Sequence, residues 1–206
     1  MSEVALYLGR RGTGKSHRMD RDRREWPRCL LFDSIGESTY DRMERIGSFG
    51  RLCQRLAEDP PCFQIAYRGY DSELPREVDF DRFCRAAYCS SDLLVIVEEA
   101  DLFCTPHKIR EPFQQIIETG RHREISLWVA TRHAGRLHMN LRSQANRIVT
   151  FRQIEPRHLK WIEEAVGPEL AERLPHLAQY EAVVWRDGYE IKGTAPSKAV
   201  DSDSIL

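Results

Sequence analysis

Val4-Ala5-Leu6-Tyr7-Leu8-Gly9-Arg10-Arg11-Gly12-Thr13-Gly14-Lys15-Ser16 is the stretch that decides the fold. A short apolar run ends in a glycine, and the next eight residues fit G-x-x-x-x-G-K-[ST] at every fixed position. Such a loop leaves a buried strand and opens a helix. Its backbone N–H groups point inward at the positive end of that helix and cradle the phosphates of a nucleotide. Lys15 would reach the β- and γ-phosphates, and the Ser16 hydroxyl would hold Mg²⁺. Gly12 and Gly14 allow an approach that a Cβ would obstruct. The candidate binding residues are therefore Gly9, Arg10, Arg11, Gly12, Thr13, Gly14, Lys15 and Ser16, with ATP and Mg²⁺ as expected ligands. A chance Gly-rich turn is the plain alternative; the strand in front of the loop speaks against it.

Outward from the loop, the pattern predicts a helix from Gly14 until Pro27 stops it, with a cationic far end that suits a helix C-terminus. Cys29-Leu30-Leu31-Phe32-Asp33 is too apolar for a half-exposed strand and reads as a buried one. Residues 45–57 read as a helix broken by Pro60-Pro61. A strand at 62–68, a polar loop at 69–77 and a helix at 78–89 follow.

Leu93-Leu94-Val95-Ile96-Val97-Glu98-Glu99 is the second informative stretch. Five apolar residues make a buried parallel strand, and two carboxylates stand at its C-terminal end, the edge of an open α/β sheet where ligands bind. Glu98 would orient water on Mg²⁺, and Glu99 would act as the general base on the attacking water. The competing reading is a strand followed by a helix whose first turn favours acids.

Beyond it the pattern gives a helix at 109–120, Gly120-Arg121-His122-Arg123, and a strand at 125–131 capped by Arg132. A short helix at 138–144, a strand at 147–151 and helices at 156–166 and after Pro168 complete the main body. Two strands at 181–185 and 189–191 flank Asp187-Gly188, a hairpin turn signature. The organisation expected is one domain over 1–193 and a frayed, polar tail over 194–206.

At 206 residues, 41% hydrophobic, the chain suits one α/β domain with a sizeable core. A net charge of −1 names no partner. The distribution says more. Between Arg121 and Lys160 cations far outnumber acids, whereas acids predominate from Asp71 to Asp101. Such a dipole can present a basic face to DNA or RNA, be solvated surface, or pair with acidic neighbours. The six scattered cysteines contain no C-x-x-C pair. Reduced thiols in a cytoplasm are the default reading, and a Cys/His metal site is the alternative. His133 and His138 have no acid or cysteine at ligand spacing, so they are read as surface or nucleic-acid-facing residues. No apolar run approaches the ~20 residues that cross a bilayer, so no membrane insertion is expected.

Taken together, these stretches resemble the FtsK/HerA group of P-loop ATPases, and within it the small genome-packaging ATPases of membrane-containing and tailless DNA viruses. Gly9–Ser16 is the phosphate loop. Asp33-Ser34-Ile35-Gly36-Glu37 resembles the D-x-x-G-E turn of the group, and Glu98-Glu99-Ala100-Asp101-Leu102 its [DE]-E-x-x-D-L region with one residue fewer. Gly120-Arg121 to Ala130-Thr131-Arg132 resembles its R-x-x-G-[IL]-x-h-x-h-A-T-Q segment. There Glu124 and Ile125 replace the usual Gly-Ile, and Arg132 replaces a Gln that senses the γ-phosphate. Arg132 could donate to the same oxygens but brings a full charge.

The resemblance covers roughly residues 1–155 and implies a three-layer, RecA-like (ASCE) α/β fold with a central, mostly parallel sheet; the C-terminal β-hairpin is added to it by the turn signature. It further implies a homo-oligomeric ring, usually of six subunits, around double-stranded DNA. It makes Arg121 a residue acting in the active site of the neighbouring subunit. The bland reading of Arg121 is a cap on its own helix, and Arg123 is the reserve candidate. The catalytic set expected is thus Lys15, Glu99, Arg121 and Arg132, with Ser16 and Glu98 at the metal. Host cytoplasm, association with the virion, and a capsid or portal vertex protein as a further partner complete the expectation. Two other classes compete: a small P-loop nucleotide kinase, and a non-motor nucleotide-binding assembly or regulatory protein. Glu98-Glu99 suits water activation, which a kinase must avoid.

Overall fold

The structure, a computed structural model, describes residues 2–36, 38–40, 42–69 and 74–191. In chain order the first half contains β1 (Val4–Leu8), α1 (Lys15–Asp22), β2 (Arg28–Phe32), β3 (Glu44–Ile46), α2 (Phe49–Ala57), β4 (Phe63–Tyr67), α3 (Arg76–Ser90) and β5 (Leu93–Val97). After a two-residue pair β6 (Cys104–Thr105) and β7 (Lys108–Ile109) come α4 (Glu111–Thr119), β8 (Ile125–Thr131), α5 (Met139–Gln144) and β9 (Arg147–Phe151). The chain closes with α6 (Pro156–Val166), α7 (Pro168–Arg173), β10 (Ala182–Arg186) and β11 (Tyr189–Ile191).

Nine strands form one sheet in the order β11-β10-β9-β1-β8-β5-β2-β4-β3. From β9 to β3 every pairing is parallel; β10 joins β9 antiparallel and carries β11 as a hairpin. The central strands are buried on both faces, as a parallel sheet covered by helices requires. The period of two sorts their side chains. Leu6 and Leu8 of β1 join the larger core cluster with Phe80 and Phe83 of α3, Phe113 of α4 and Ile162 of α6. Ala5 and Tyr7 face the other way, toward Met19 of α1 and Trp128. The three layers are therefore unequal: α1 lies on one face, and α2 to α7 cover the other. Each fully buried Leu or Phe contributes roughly 1.5–3 kcal/mol.

The expected fold class holds: a three-layer α/β architecture with a mostly parallel central sheet and a C-terminal hairpin. In that hairpin Asp187 and Gly188 both take positive φ, +49° and +94°, the twist that a two-residue turn between right-handed strands needs. The helix expected across 45–57 is corrected. Residues 44–46 are an edge strand, because Ile46 pairs with Tyr67 of β4 and buries there, and α2 starts only at Phe49. The helix after the phosphate loop ends earlier than Pro27 requires, at Asp22, followed by a 3₁₀ turn over Arg23–Glu25. Glu37 of the D-x-x-G-E turn, residues 70–73 of the polar loop and the tail over 194–206 lie outside the described residues.

Candidate active site

Every strand from β1 to β9 that runs parallel delivers its C-terminal end to one edge of the sheet. The β1 chain leaves at Leu8 and enters the loop. Gly9 has no room for a side chain: a Cβ would stand 2.6 Å from the Thr13 hydroxyl and 3.0 Å from the Phe151 Cβ. Gly14 takes φ +95° and turns the loop into α1, a conformation that costs a Cβ-bearing residue about 1–2 kcal/mol. The loop is braced from within. Thr13 donates its hydroxyl to the Arg10 carbonyl at 2.8 Å, and the Lys15 ammonium donates to the Gly9 carbonyl at 2.7 Å and the Arg10 carbonyl at 3.2 Å. Lys15 is thus buried and curled into the concave side of its own loop.

Two strands away, β5 ends and the acids begin. Glu98 is buried; the Tyr40 hydroxyl donates to its carboxylate, and Ser16 also hydrogen-bonds it. Burial pushes its pKa up to about 7 against the opposing pull of Tyr40, Lys15 and Ser16. Glu99 then adopts a left-handed backbone, φ +49°, unusual outside glycine and a mark of functional turns. Its carboxylate meets Arg132 at the end of β8: Nε and Nη2 both donate to Oε1, at 3.0 and 2.9 Å. The neighbouring Thr131 hydroxyl donates to Asp101 at 2.9 Å, fixing the segment that carries Arg132.

These elements enclose a cavity of about 590 Å³ lined by Arg11, Gly12, Gly14, Lys15, Ser16, Glu98, Glu99 and Arg132, among others. Eight of the residues singled out in the sequence therefore meet at one place. Gly9, Arg10 and Thr13 form the loop behind it. The Ser16 hydroxyl and the Glu98 carboxylate offer hard oxygen donors beside the loop, a donor set that suits Mg²⁺. Arg121 is not part of this cavity; it stands exposed on the 3₁₀ turn Gly120–Arg123 that follows α4.

Two participants were not legible in the sequence. Tyr40 reaches Glu98 across 58 residues. Tyr180 packs against the loop, with its ring 3.1 Å from where a Gly14 Cβ would stand. Neither sits in a motif, and only the closure of the sheet brings them in. One reading is corrected. His133 does have an acidic neighbour, because the fold carries Glu155 and His158 to it. His138, for its part, accepts a backbone hydrogen bond from Asn140 at the start of α5.

The basic stretch 121–160 does not act as one surface. Arg147 pairs with Glu3 and Asp22, Arg132 with Glu99, Arg123 donates to the Cys89 carbonyl, and Arg142 lies over the Trp161 ring. Arg121, Arg136, Arg152, Arg157 and Lys160 are exposed. Among the described residues no helix is long and apolar enough to cross a membrane.

The sheet order, the loop and the acids at the end of β5 define the fold as that of the RecA-like P-loop NTPases. No family model matches the sequence, and no curated protein does. Solved structures do. The genome packaging NTPase B204 of Sulfolobus turreted icosahedral virus 2, in complex with AMP, superposes with a TM-score of 0.74 at 19% identity, covering 95% of this chain and 98% of that one. B204 of Sulfolobus turreted icosahedral virus, described as a DNA-packaging ATPase, gives 0.71 at 21% identity over 89% and 92% of the two chains. VirB4 of Thermoanaerobacter pseudethanolicus gives 0.58 at 12% identity over 91% and 87%. The structural neighbours thus include a viral genome packaging NTPase, and the fold they share with this chain is the one that the sequence resemblance implies.

Proposed function

We propose that this chain is an ATPase that moves double-stranded DNA during the packaging of a viral genome, working as a homo-oligomeric ring of six subunits. The observation that carries the reading is the single cavity where the phosphate loop, the Glu98-Glu99 pair and Arg132 converge. The likeness to the packaging NTPase over nearly the full length of both chains supports the packaging task.

The roles follow from position. The loop N–H groups and Lys15 hold the β- and γ-phosphates, and the positive charge of Lys15 stabilises charge that builds on the transferred phosphoryl group. Ser16 and Glu98 would hold Mg²⁺, whose charge would offset that of the phosphates. Glu99 takes a proton from the attacking water. Arg132 holds the Glu99 carboxylate at the cavity wall, and its guanidinium, on a side chain that is 41% exposed and lines the cavity, donates to the γ-phosphate in place of the Gln of the group that the sequence resembles. Arg121 reaches from outside its own cavity to that of the next subunit. The exposed cations Arg136, Arg152, Arg157 and Lys160 contact DNA phosphates.

The test is phosphate release from Mg-ATP with water as the only acceptor, with and without duplex DNA. Release that duplex DNA accelerates supports the motor. Transfer to a nucleotide acceptor with little release would make the chain a kinase, and tight ATP binding with negligible turnover would make it a scaffold; either result overturns the reading.

A further inference from the structure

The second cluster of ligating side chains lies beyond the far side of Arg132. His133 leaves the end of β8 at the start of the 3₁₀ turn Ala134–Arg136. Glu155 is the N-cap of α6, and His158 is three residues on, so an i, i+3 spacing puts both on one helix face. One donor atom from each of the three lies within 4.8 Å of the other two. His158 Nε2 stands 3.6 Å from the Glu155 carboxylate, and the two imidazole rings meet at 5.4 Å between centroids.

A second observation points to a ligand here. The His158 side chain is 96% buried, yet Nε2, the ring nitrogen that faces Glu155, has among the described residues only that 3.6 Å contact, too long for a hydrogen bond; Nδ1, on the other side of the ring, has no described partner either. A buried imidazole normally satisfies its nitrogens, because leaving them unpaired costs about 1–3 kcal/mol. Nothing in the nucleotide chemistry uses this group.

We propose that His133, Glu155 and His158 form a site for one transition-metal dication of the zinc class. The donor set is two imidazoles and a carboxylate, which suits Zn²⁺ and its spectroscopic substitute Co²⁺ and gives Mg²⁺ only one hard ligand. Tetrahedral bonds of about 2.0–2.2 Å bring ligand atoms to roughly 3.3–3.6 Å from one another. The His158–Glu155 pair is already close to that, and the site closes by a contraction of the third ligand on the order of 1 Å. Three protein ligands leave the fourth position to water. Arg136 and Arg157, both near His158, oppose a dication, so the affinity is weaker than that of all-cysteine structural sites. A bound ion ties the exit of β8 to the start of α6. It thereby fixes the backbone of the residue next to Arg132.

The test uses the purified full chain without nucleotide, titrated with Zn²⁺ and with Co²⁺ by calorimetry and visible absorption. One equivalent binds, Co²⁺ shows tetrahedral ligand-field bands without thiolate charge transfer, and Zn²⁺ raises the thermal midpoint. His133→Asn and Glu155→Gln, both changed at positions that are not buried, each weaken binding at least tenfold and abolish the thermal shift. His158→Gln removes a buried ligand and serves as a third arm only if its circular dichroism matches wild type. The exposed thiols of Cys53, Cys62 and Cys89 are competing soft ligands. Thiolate bands, binding unchanged in His133→Asn and Glu155→Gln, or no saturable binding by the wild type would each overturn the proposal.

Discussion

Glu98 is the residue whose environment makes the sharpest demand. It must be ionised to hold a metal, yet burial raises its pKa to about 7. Mg²⁺ affinity is therefore expected to rise with pH up to about 7, and Glu98→Gln should both lose this rise and weaken Mg²⁺ dependence; Mg²⁺ titrations of turnover at several pH values check it. Stability runs the opposite way. A carboxyl whose folded pKa lies above its unfolded value near 4.5 binds more protons when folded between those limits. Its contribution is greatest below about pH 4.5 and is lost as pH rises to about 7, a cost of roughly 3 kcal/mol at full ionisation. Denaturant titrations of Glu98→Gln should accordingly show a gain over wild type at pH 8 and little or none at pH 5. A gain of equal size at both values would place the burden elsewhere. Arg132 belongs to the same scale. Replaced by Ala, it leaves Glu99 unheld and, in the role proposed for it, removes the donor to the γ-phosphate, so hydrolysis should fall at least tenfold while nucleotide binding, read by a fluorescent analogue, persists.

At the scale of elements, what was legible was what local pattern dictates. The phosphate loop, β5 with its two acids and the Asp187-Gly188 hairpin each announce themselves within a dozen residues. The edge strand β3 did not. Its three residues are only partly apolar, and they become a strand because β4 offers an unpaired edge to Ile46, a fact about the sheet and not about the segment. Tyr40, Tyr180 and the meeting of His133 with His158 were illegible for the same reason: each contact spans a separation in sequence that no period or motif encodes. Arg121 also belongs here. Its place on an exposed turn after α4, away from its own cavity, is what a residue acting on a neighbour requires. An arginine finger is worth roughly 10³–10⁵ in rate. Arg121→Ala subunits and Lys15→Ala subunits, each inactive alone, should regain part of the activity when mixed, since some interfaces then join an intact site to an intact finger. Wild-type turnover by Arg121→Ala in the assembled, DNA-bound state would contradict the assignment.

For the whole molecule, the lopsided sandwich puts the cavity at one edge of a nine-stranded sheet and leaves several cations from the 121–160 stretch at the surface. The cations of that stretch divide residue by residue: Arg132 and Arg147 form internal ion pairs, whereas Arg136, Arg152, Arg157 and Lys160 are exposed. Contacts of that kind read phosphate and not sequence, so affinity for duplex DNA should fall steeply with salt and vary little with sequence. Replacing Arg152 and Lys160 together should flatten the salt slope by about 1–2, which a fluorescence anisotropy titration at several salt concentrations measures. A flat salt response in the wild type would remove these residues from the DNA path.

The central claim is that the cavity between the phosphate loop and the Glu98-Glu99 pair hydrolyses a nucleoside triphosphate with Glu99 as base. A single-turnover experiment addresses it most directly: Mg-ATP is loaded onto wild type, Lys15→Ala and Glu99→Gln, and bound ATP and released phosphate are followed over time. Wild type should convert its bound ATP to ADP and phosphate; Lys15→Ala should bind poorly and release none; Glu99→Gln should retain intact ATP, with hydrolysis slowed by at least ~10². Wild-type conversion by Glu99→Gln, or by Lys15→Ala, would contradict the account.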